Sequence, residues 1–169
     1  MIFRNRKFKT LLRWAGVILL FAFIAFLSSS LEKQSEDKPI SGTAKVVDGD
    51  SLRISGKKIR ILNIDAPELF QTCKDKNKQV WNCGKAAKNR MQELVLNRQV
   101  ICKPNGYDRY SRVLATCYVN KKDVAAILVK EGLAIGYGGY DIEHYSAKLR
   151  KVGMWAGEFI SPREWRDRN

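Results

Sequence analysis

The sequence predicts an α+β fold that consists mainly of a small five-stranded β-barrel, with about three helices packed against it. Short runs of β-branched and apolar residues, separated by turn residues, come first as a group of three and later as a group of two. An amphipathic segment lies between the groups. Once its N-terminal segment is set aside, the 169-residue chain leaves about 140 residues, which is the size of one domain.

The first 30 residues are predicted to be a signal peptide or a signal-anchor. A stretch with five basic residues and no acidic ones precedes an apolar run from Trp14 to Leu27. The run is shorter than the roughly 20 residues of a full membrane span, as in a signal peptide. However, the long basic region and the lack of an Ala-x-Ala site favour an uncleaved anchor, so cleavage stays open. We expect export, to the periplasm or the exterior, and residues 31–41 as a polar linker.

The rest of the chain is basic enough to favour a polyanionic partner. The chain has 31 Lys and Arg against 17 Asp and Glu, for a net charge of +14. Five of the basic residues lie in the first 30, which leaves 26 basic against 17 acidic residues, or +9. This charge favours DNA, RNA or an anionic lipid surface without separating them, and a merely soluble basic protein would also fit.

The main domain, expected over residues 42–169, begins with three strands and a helix. The first three strands are predicted over Thr43–Val47, Ser51–Ile54 and Lys58–Ile64, with a tight turn at residues 55–57. Apolar residues at helical spacing, beside Lys, Arg and Glu, then predict an amphipathic helix over Gly84–Asn97.

Two more strands and two helices complete the predicted domain. The strands are Gln99–Lys103 and Val113–Val119, and the helices are a short one from the N-cap Asp123 to Gly132 and a final one over Asp141–Trp155. A Trp- and Arg-rich C-terminus is expected to dock onto the barrel. This order is typical of a barrel of the oligonucleotide-binding type, although other α+β folds share it.

Four cysteines in the presumed exported part predict two disulfides. They are Cys73, Cys83, Cys102 and Cys117, and none of their spacings is the Cys-x-x-Cys of many zinc sites. Cys102 and Cys117 lie on the two later strands, on either side of the turn between them, so they are plausible cross-strand partners. Cys73 would then pair with Cys83. Four cysteines allow three pairings, so the connectivity stays open, and free thiols are a further alternative.

Two acidic stretches flank the group of three strands. Asp48-Gly49-Asp50-Ser51 alone indicates a turn, and Asp65-Ala66-Pro67-Glu68 alone fits a helix N-terminus, with Asp65 as the cap and Glu68 closing a capping box. Because both flank one small meander, its fold can bring Asp50 and Asp65 together as oxygen ligands for a hard cation.

Arginines accompany these acids. Arg60 lies in the middle of the third predicted strand, where alternation places it on the face of Leu62 and Ile64. An arginine there needs a carboxylate or a phosphate partner, so a salt bridge and a phosphate site both stay open. Arg109 and Arg112 lie at the later hairpin, where a solvated charge is the alternative. Arginines that clamp phosphate, beside acids that bind a cation or activate water, favour catalysis on a phosphodiester.

Taken together, these motifs resemble those of the staphylococcal (micrococcal) nuclease, or thermonuclease, family over residues 42–165. One signature is Asp48-Gly49-Asp50-Ser51 with Arg60 and Asp65-Ala66-Pro67-Glu68, and the other is Asp108-Arg109-Tyr110-Ser111-Arg112. The cysteines fit an exported branch of the family. The resemblance implies a calcium-dependent nuclease that hydrolyses DNA and RNA with low sequence specificity, and we expect a monomer.

The resemblance also implies a role for each site residue. Asp50, Asp65 and the main-chain carbonyl of Ala66 would bind Ca²⁺. Glu68 would be the general base for the attacking water or would position that water, and Arg60 and Arg112 would bind the scissile phosphate and stabilise its developing charge. The expected nucleotide-binding residues are Arg109, Tyr110, Tyr137 and Tyr140.

Four departures from the family pattern bear on these roles. Ala66 and Ser51 both replace a threonine, the turn between Ile54 and Arg60 is short, and Ser111 replaces a common glycine. The change at Ala66 is tolerable because the expected ligand is main-chain. Ser111 can alter the turn geometry and so the orientation of the Arg112 side chain, which bears on the catalytic rate.

Two rival functions remain from other classes. One is a non-catalytic barrel that captures nucleic acid at the cell envelope, and the other is an anchored accessory factor of an envelope polysaccharide system. A pure binder has no evident use for Asp50, Asp65 and Glu68 beside the arginines, which favours the enzyme.

Overall fold

The computed structural model describes residues 14–26 and 38–168. The chain divides into two compact units at Lys38 and Pro39. In the first unit, residues 14–26 form a helix, α1, and the rest of the predicted targeting segment lies outside the described residues. Among the described helices, none combines the length and the apolar character needed to cross a membrane.

The second unit contains ten strands and four further α-helices within residues 38–168. The strands are β1 (Ile40–Val46), β2 (Ser51–Ile54), β3 (Lys57–Ile61), β4 (Ile64–Asp65), β5 (Cys73–Lys74), β6 (Val80–Trp81), β7 (Gln99–Tyr107), β8 (Val113–Val119), β9 (Lys122–Asp123) and β10 (Ile135–Gly136). The helices are α2 (Cys83–Val95), α3 (Val124–Lys130), α4 (Asp141–Arg150) and α5 (Pro162–Arg168), and a 3₁₀ turn spans Gly153–Ala156.

Five of the strands close into a barrel, which confirms the predicted fold class. Their order is β3-β2-β1-β7-β8, and a parallel pairing of β3 with β8 joins the two ends. All the other pairings in the barrel are antiparallel. Closure removes the exposed edges that an open five-stranded sheet would have.

The core lies between the barrel and the helices packed against it. On β8, residues from Val113 to Val119 alternate between buried and half-buried, as period-two patterning requires. On α2, Ala87, Met91 and Leu94 are buried in the same cluster at helical spacing. The amphipathic segment and the strand pattern therefore predicted the packing faces correctly.

Both predicted disulfides are present. Cys102 and Cys117 are directly opposite each other on β7 and β8 and are bonded. Cys73 and Cys83 join β5 to the first residue of α2. The four cysteines are buried, so each disulfide adds to packing as well as to connectivity.

Several predicted elements are wrong in their extent. β1 begins at Ile40 instead of Thr43, and β7 runs to Tyr107 instead of Lys103. The third strand does not run to Ile64, because Asn63 adopts a positive φ of 61° and the chain turns, so that Ile64 instead pairs with Gly136 of β10. The last predicted helix ends at Arg150, because Lys151 is left-handed. Gly153 follows with a φ of +56°, in close contact with the backbone of Gly132.

Candidate active site

Strand pairing brings the separate motifs to one region of the barrel. On β2 and β3, Ser51 pairs with Arg60, and on β3 and β8 Arg60 pairs with Leu114. Asp50 immediately precedes Ser51, and Arg112 lies two residues before Leu114. Arg60 therefore lies between the first acidic turn and the later hairpin.

Asp50 is a buried carboxylate with several hydrogen-bond donors. Its side chain accepts from the Ser51 hydroxyl at 3.0 Å, the Ala66 N–H at 3.0 Å and Nη1 of Arg60 at 2.8 Å. The Asp50 residue is only 3% exposed. Burial raises the pKa of Asp50 to about 7, against the opposing effect of the Arg60 charge. The turn itself is held by Asp48, whose carboxylate accepts from the Asp50 N–H.

Arg60 cross-links two of the predicted site carboxylates. Its Nη1 donates to Asp50 at 2.8 Å and its Nη2 donates to Asp65 at 3.0 Å. The prediction that Arg60 shares a face with Leu62 and Ile64 is wrong, because the strand ends at Ile61. Arg60 instead lies between the buried Ile59 and Ile61, and is itself half-buried. Burial would lower the pKa of Arg60, but Asp50 and Asp65 raise it above its ordinary value.

Glu68 lies on an irregular segment, so the helix-cap explanation for this motif is wrong. No helix begins within residues 65–72. The Glu68 N–H donates to the side-chain oxygen of Gln71, which is fully buried and whose amide nitrogen donates to the Ile160 carbonyl. Gln71 therefore holds the main chain at Glu68 in place, while the Glu68 carboxylate stays partly exposed.

Arg166 of α5 also reaches the site, and the sequence reasoning missed it. Its Nη1 donates to Asp65 at 3.0 Å and to Glu68 at 2.8 Å, and its Nη2 donates to the other Asp65 oxygen at 3.1 Å. The hydrogen bonds to Asp65 and then to Glu68 raise the pKa of Arg166. The Arg-rich C-terminus was expected to dock onto the barrel, but no spacing indicated which arginine would meet the acids, about 100 residues earlier in the chain.

The later hairpin positions Arg112 through Asp108. The Asp108 carboxylate accepts from the N–H groups of Tyr110 and Arg112 and, at 2.7 Å, from Nε of Arg112. Burial would raise the pKa of Asp108, but these hydrogen bonds lower it below its ordinary value. Ser111 has a φ of 59°, so it adopts the left-handed conformation that a glycine would favour. Arg109 lies over the Tyr110 ring, 4.8 Å from its centroid.

A cavity of about 700 Å³ joins these groups. It is lined by residues from all of the segments above, namely Asp48, Asp50, Lys58, Arg60, Ala66, Pro67, Glu68, Asp108, Arg109, Tyr110, Arg112, Leu114, Arg166 and Asp167. Asp65, Tyr137 and Tyr140 are not among the lining residues. The Tyr137 hydroxyl donates to the Ile64 carbonyl, and the Tyr140 hydroxyl donates to Asp123, the N-cap of α3. Their proposed nucleotide contacts stay a prediction.

The donor set fits a hard cation in type but supplies few side-chain ligands. Within residues 14–26 and 38–168, no three or more His, Cys, Asp or Glu side chains are grouped to hold a metal ion. Asp50 and Asp65 nevertheless bond to the two ends of one guanidinium, so their carboxylates are close neighbours. Carboxylate, carbonyl and water oxygens are what Ca²⁺ takes, so this pair fits the ion with water as further ligands.

Comparisons with known proteins identify relatives of this chain. Residues 58–157 match the family described as "Staphylococcal nuclease homologue". The chain is 33% identical over 128 residues to "Succinoglycan biosynthesis protein ExoI" of Rhizobium meliloti, which covers 72% of this chain and 67% of that protein. It is 29% identical over 160 residues to "Uncharacterized endonuclease" of Haemophilus influenzae, a match that covers 88% of this chain and 84% of that protein. It is also 32% identical over 129 residues to "Endonuclease YncB" of Bacillus subtilis, which covers 66% of this chain and 59% of that protein.

Proposed function

The chain belongs to the staphylococcal nuclease family, and we propose that it is a calcium-dependent nuclease that hydrolyses phosphodiester bonds of DNA and RNA with little sequence preference. The observation that carries this proposal is the Arg60 guanidinium, which bonds to both Asp50 and Asp65 and lines one cavity with Asp50, Glu68 and Arg112. Relatives named as endonucleases support the reaction class.

Asp50, Asp65 and the Ala66 carbonyl are the proposed calcium ligands. When bound there, Ca²⁺ supplies positive charge to a phosphate oxygen and so favours attack at phosphorus. The Ala66 N–H donates to Asp50, which holds the main chain of Ala66 against the same carboxylate. The proposed ligand is a main-chain atom, so it needs no side-chain hydroxyl at this position.

Glu68 is the proposed base, and the two arginines are the proposed phosphate clamps. The Glu68 side chain is 39% exposed, so water can reach it and transfer a proton to it as the water oxygen bonds to phosphorus. Arg60 and Arg112 donate to the phosphate oxygens as negative charge builds on them and the bond to the leaving oxygen breaks. Of the Arg112 nitrogens, Asp108 accepts from the main-chain N–H and Nε, which leaves the terminal nitrogens for the substrate.

The expected substrate range follows from what these groups recognise. Guanidinium groups bind the phosphate that every nucleotide of DNA and RNA carries, so they give little sequence preference. Tyr110 is 62% exposed beside Arg109 at the hairpin tip, where its ring can stack on a base of any type. Single-stranded segments, whose bases are accessible, are therefore the preferred substrate.

A calcium-titrated nuclease assay tests this function. We expect the full-length chain to degrade single-stranded DNA in calcium, chelation to abolish the cleavage, and Glu68→Gln and Arg112→Ala to lower kcat by roughly 100-fold or more. Glu93→Gln and Arg98→Ala, on or just beyond α2 and outside the cavity, are charge-matched controls expected to cleave like the wild type. Cleavage that survives chelation and both site variants would refute the proposal. Salt-sensitive binding without product would favour the capture module instead.

We also propose that the protein acts outside the reducing cytoplasm, as a monomer. The two disulfides support an oxidising compartment, since such bonds seldom persist in reduced cytosol. The apolar N-terminal run, after its basic stretch, supports export. Blocking free thiols in intact cells before lysis tests this, because all four cysteines should then be unreactive until they are reduced.

A further inference from the structure

Arg166 occupies the acidic groups that the proposed function assigns to calcium and to the base. We propose that the Arg166 guanidinium is a built-in substitute for the cation, which holds Asp65 and Glu68 together and which a divalent ion must displace. This inference rests on the proposed function, because it concerns the same carboxylates. It assigns α5 a direct part in the control of the site.

The Asp65 carboxylate has few acceptor positions left for a cation. A carboxylate oxygen has two lone pairs, and Oδ1 of Asp65 already accepts from both Arg60 and Arg166. Oδ2 accepts from Arg166 as well, at 3.1 Å. Only one acceptor position of Asp65 is left, so coordination of a cation through both Asp65 oxygens requires at least part of the Arg166 contact to break.

The charge of the site also favours replacement of Arg166 by the cation over binding of the cation beside it. Asp50, Asp65 and Glu68 carry three formal negative charges when ionised, and Arg60 and Arg166 neutralise two of them. A divalent ion that enters beside both arginines gains little net attraction, whereas one that replaces Arg166 meets a more negative site. The Arg166 side chain is 40% exposed, so it can move into solvent, and the cation then compensates the charge of the largely buried Asp65.

Arg166 also connects Glu68, the proposed base, to Asp65, a proposed calcium ligand. The same Nη1 donates to Asp65 and to Glu68, so both contacts are lost together when the guanidinium leaves. Entry of the cation would then free Glu68 at the moment when it is needed to take a proton from water. Cation binding and the availability of the base are coupled through one side chain.

Calcium affinity, measured by isothermal titration calorimetry on the full-length chain, tests the inference. We expect Arg166→Ala to bind calcium roughly five- to tenfold more tightly than the wild type, in the usual range of coupling between two sites. Arg166→Gln keeps a polar side chain without the charge, so it should bind calcium as tightly as Arg166→Ala. It replaces the alanine variant in the test if that variant is unstable. Arg166→Lys, which keeps the charge but cannot bridge three carboxylate oxygens in one plane, should fall between.

The control is Arg168→Ala, which removes the same charge from the same helix. Arg168 pairs with Glu164 within α5 and not with the site, so its loss should change the calcium affinity less than twofold. If both variants bind calcium equally more tightly than the wild type, net charge alone explains the effect and the inference is overturned. Unchanged or weaker calcium binding by Arg166→Ala would overturn it as well. If the wild type cleaves DNA in calcium while Arg166→Ala binds the ion no better, the proposed function stands and this inference alone fails.

Discussion

At the scale of single residues, the site depends on arginines that each hold more than one carboxylate. Arg60 spans Asp50 and Asp65, and Arg166 spans Asp65 and Glu68. A planar guanidinium has donors in a fixed fork, so it sets the relative positions of its partners as well as neutralising them. A lysine ammonium is a point charge, so it sets the relative positions of two carboxylates less well.

Arg60→Lys is therefore expected to lose activity while keeping the fold. The ammonium retains the charge but cannot bond to Asp50 and Asp65 at once, so we expect kcat to fall by roughly 100-fold. Calcium-dependent cleavage of single-stranded DNA measures this, and the melting temperature reports the fold. Arg53→Lys, on the exposed face of β2, is the matched control. If Arg60→Lys cleaves within tenfold of the wild type, the fork geometry is dispensable.

At the scale of elements, α2 positions the segment that carries Glu68. Gly84, in the first turn of α2, lies so close to this segment that an added Cβ would be 1.7 Å from the Glu68 carbonyl oxygen. Its N–H donates to the Gln71 carbonyl at 3.2 Å, and the disulfide at Cys83 joins the same helix end to Cys73. The helix and the segment that carries Glu68 are therefore held in direct contact.

Gly84→Ala should be destabilising, although alanine is normally the better helix residue by about 1 kcal/mol. The new Cβ must push the Glu68 main chain away, so we expect a lower melting temperature and at least a tenfold loss of kcat with a smaller change in KM. Thermal unfolding and steady-state cleavage measure the two effects. Asn89→Ala, on the exposed side of α2, places the same residue in the same helix without a clash and should leave both unchanged. A fully active Gly84→Ala would show that the segment moves independently of the helix.

At the scale of the whole molecule, contacts near in sequence were predictable and distant ones were not. Period-two and helical patterns predicted the barrel strands and α2, because side-chain spacing directly reflects local geometry. The cross-strand disulfide was predictable because Cys102 and Cys117 lie on neighbouring runs. The pairing of Ile64 with Gly136 and the contact of Arg166 with Asp65 join segments about 70 and 100 residues apart, and no local pattern specifies them. The sequence thus proposed the acids of the candidate site, but it did not indicate Arg166, which contacts two of them.

The two disulfides are expected to differ in what they contribute. Each closes a short loop, of 10 residues for Cys73–Cys83 and 15 for Cys102–Cys117, so replacing either pair by alanine should lower the free energy of unfolding by about 3 kcal/mol. Strand pairing already holds Cys102 opposite Cys117, so loss of that bond should leave kcat unchanged in the folded protein. Loss of Cys73–Cys83 loosens the segment that carries Glu68 and should lower kcat as well. Urea unfolding and cleavage assays on the two double variants separate these effects, and equal kcat values for both would refute the assigned difference.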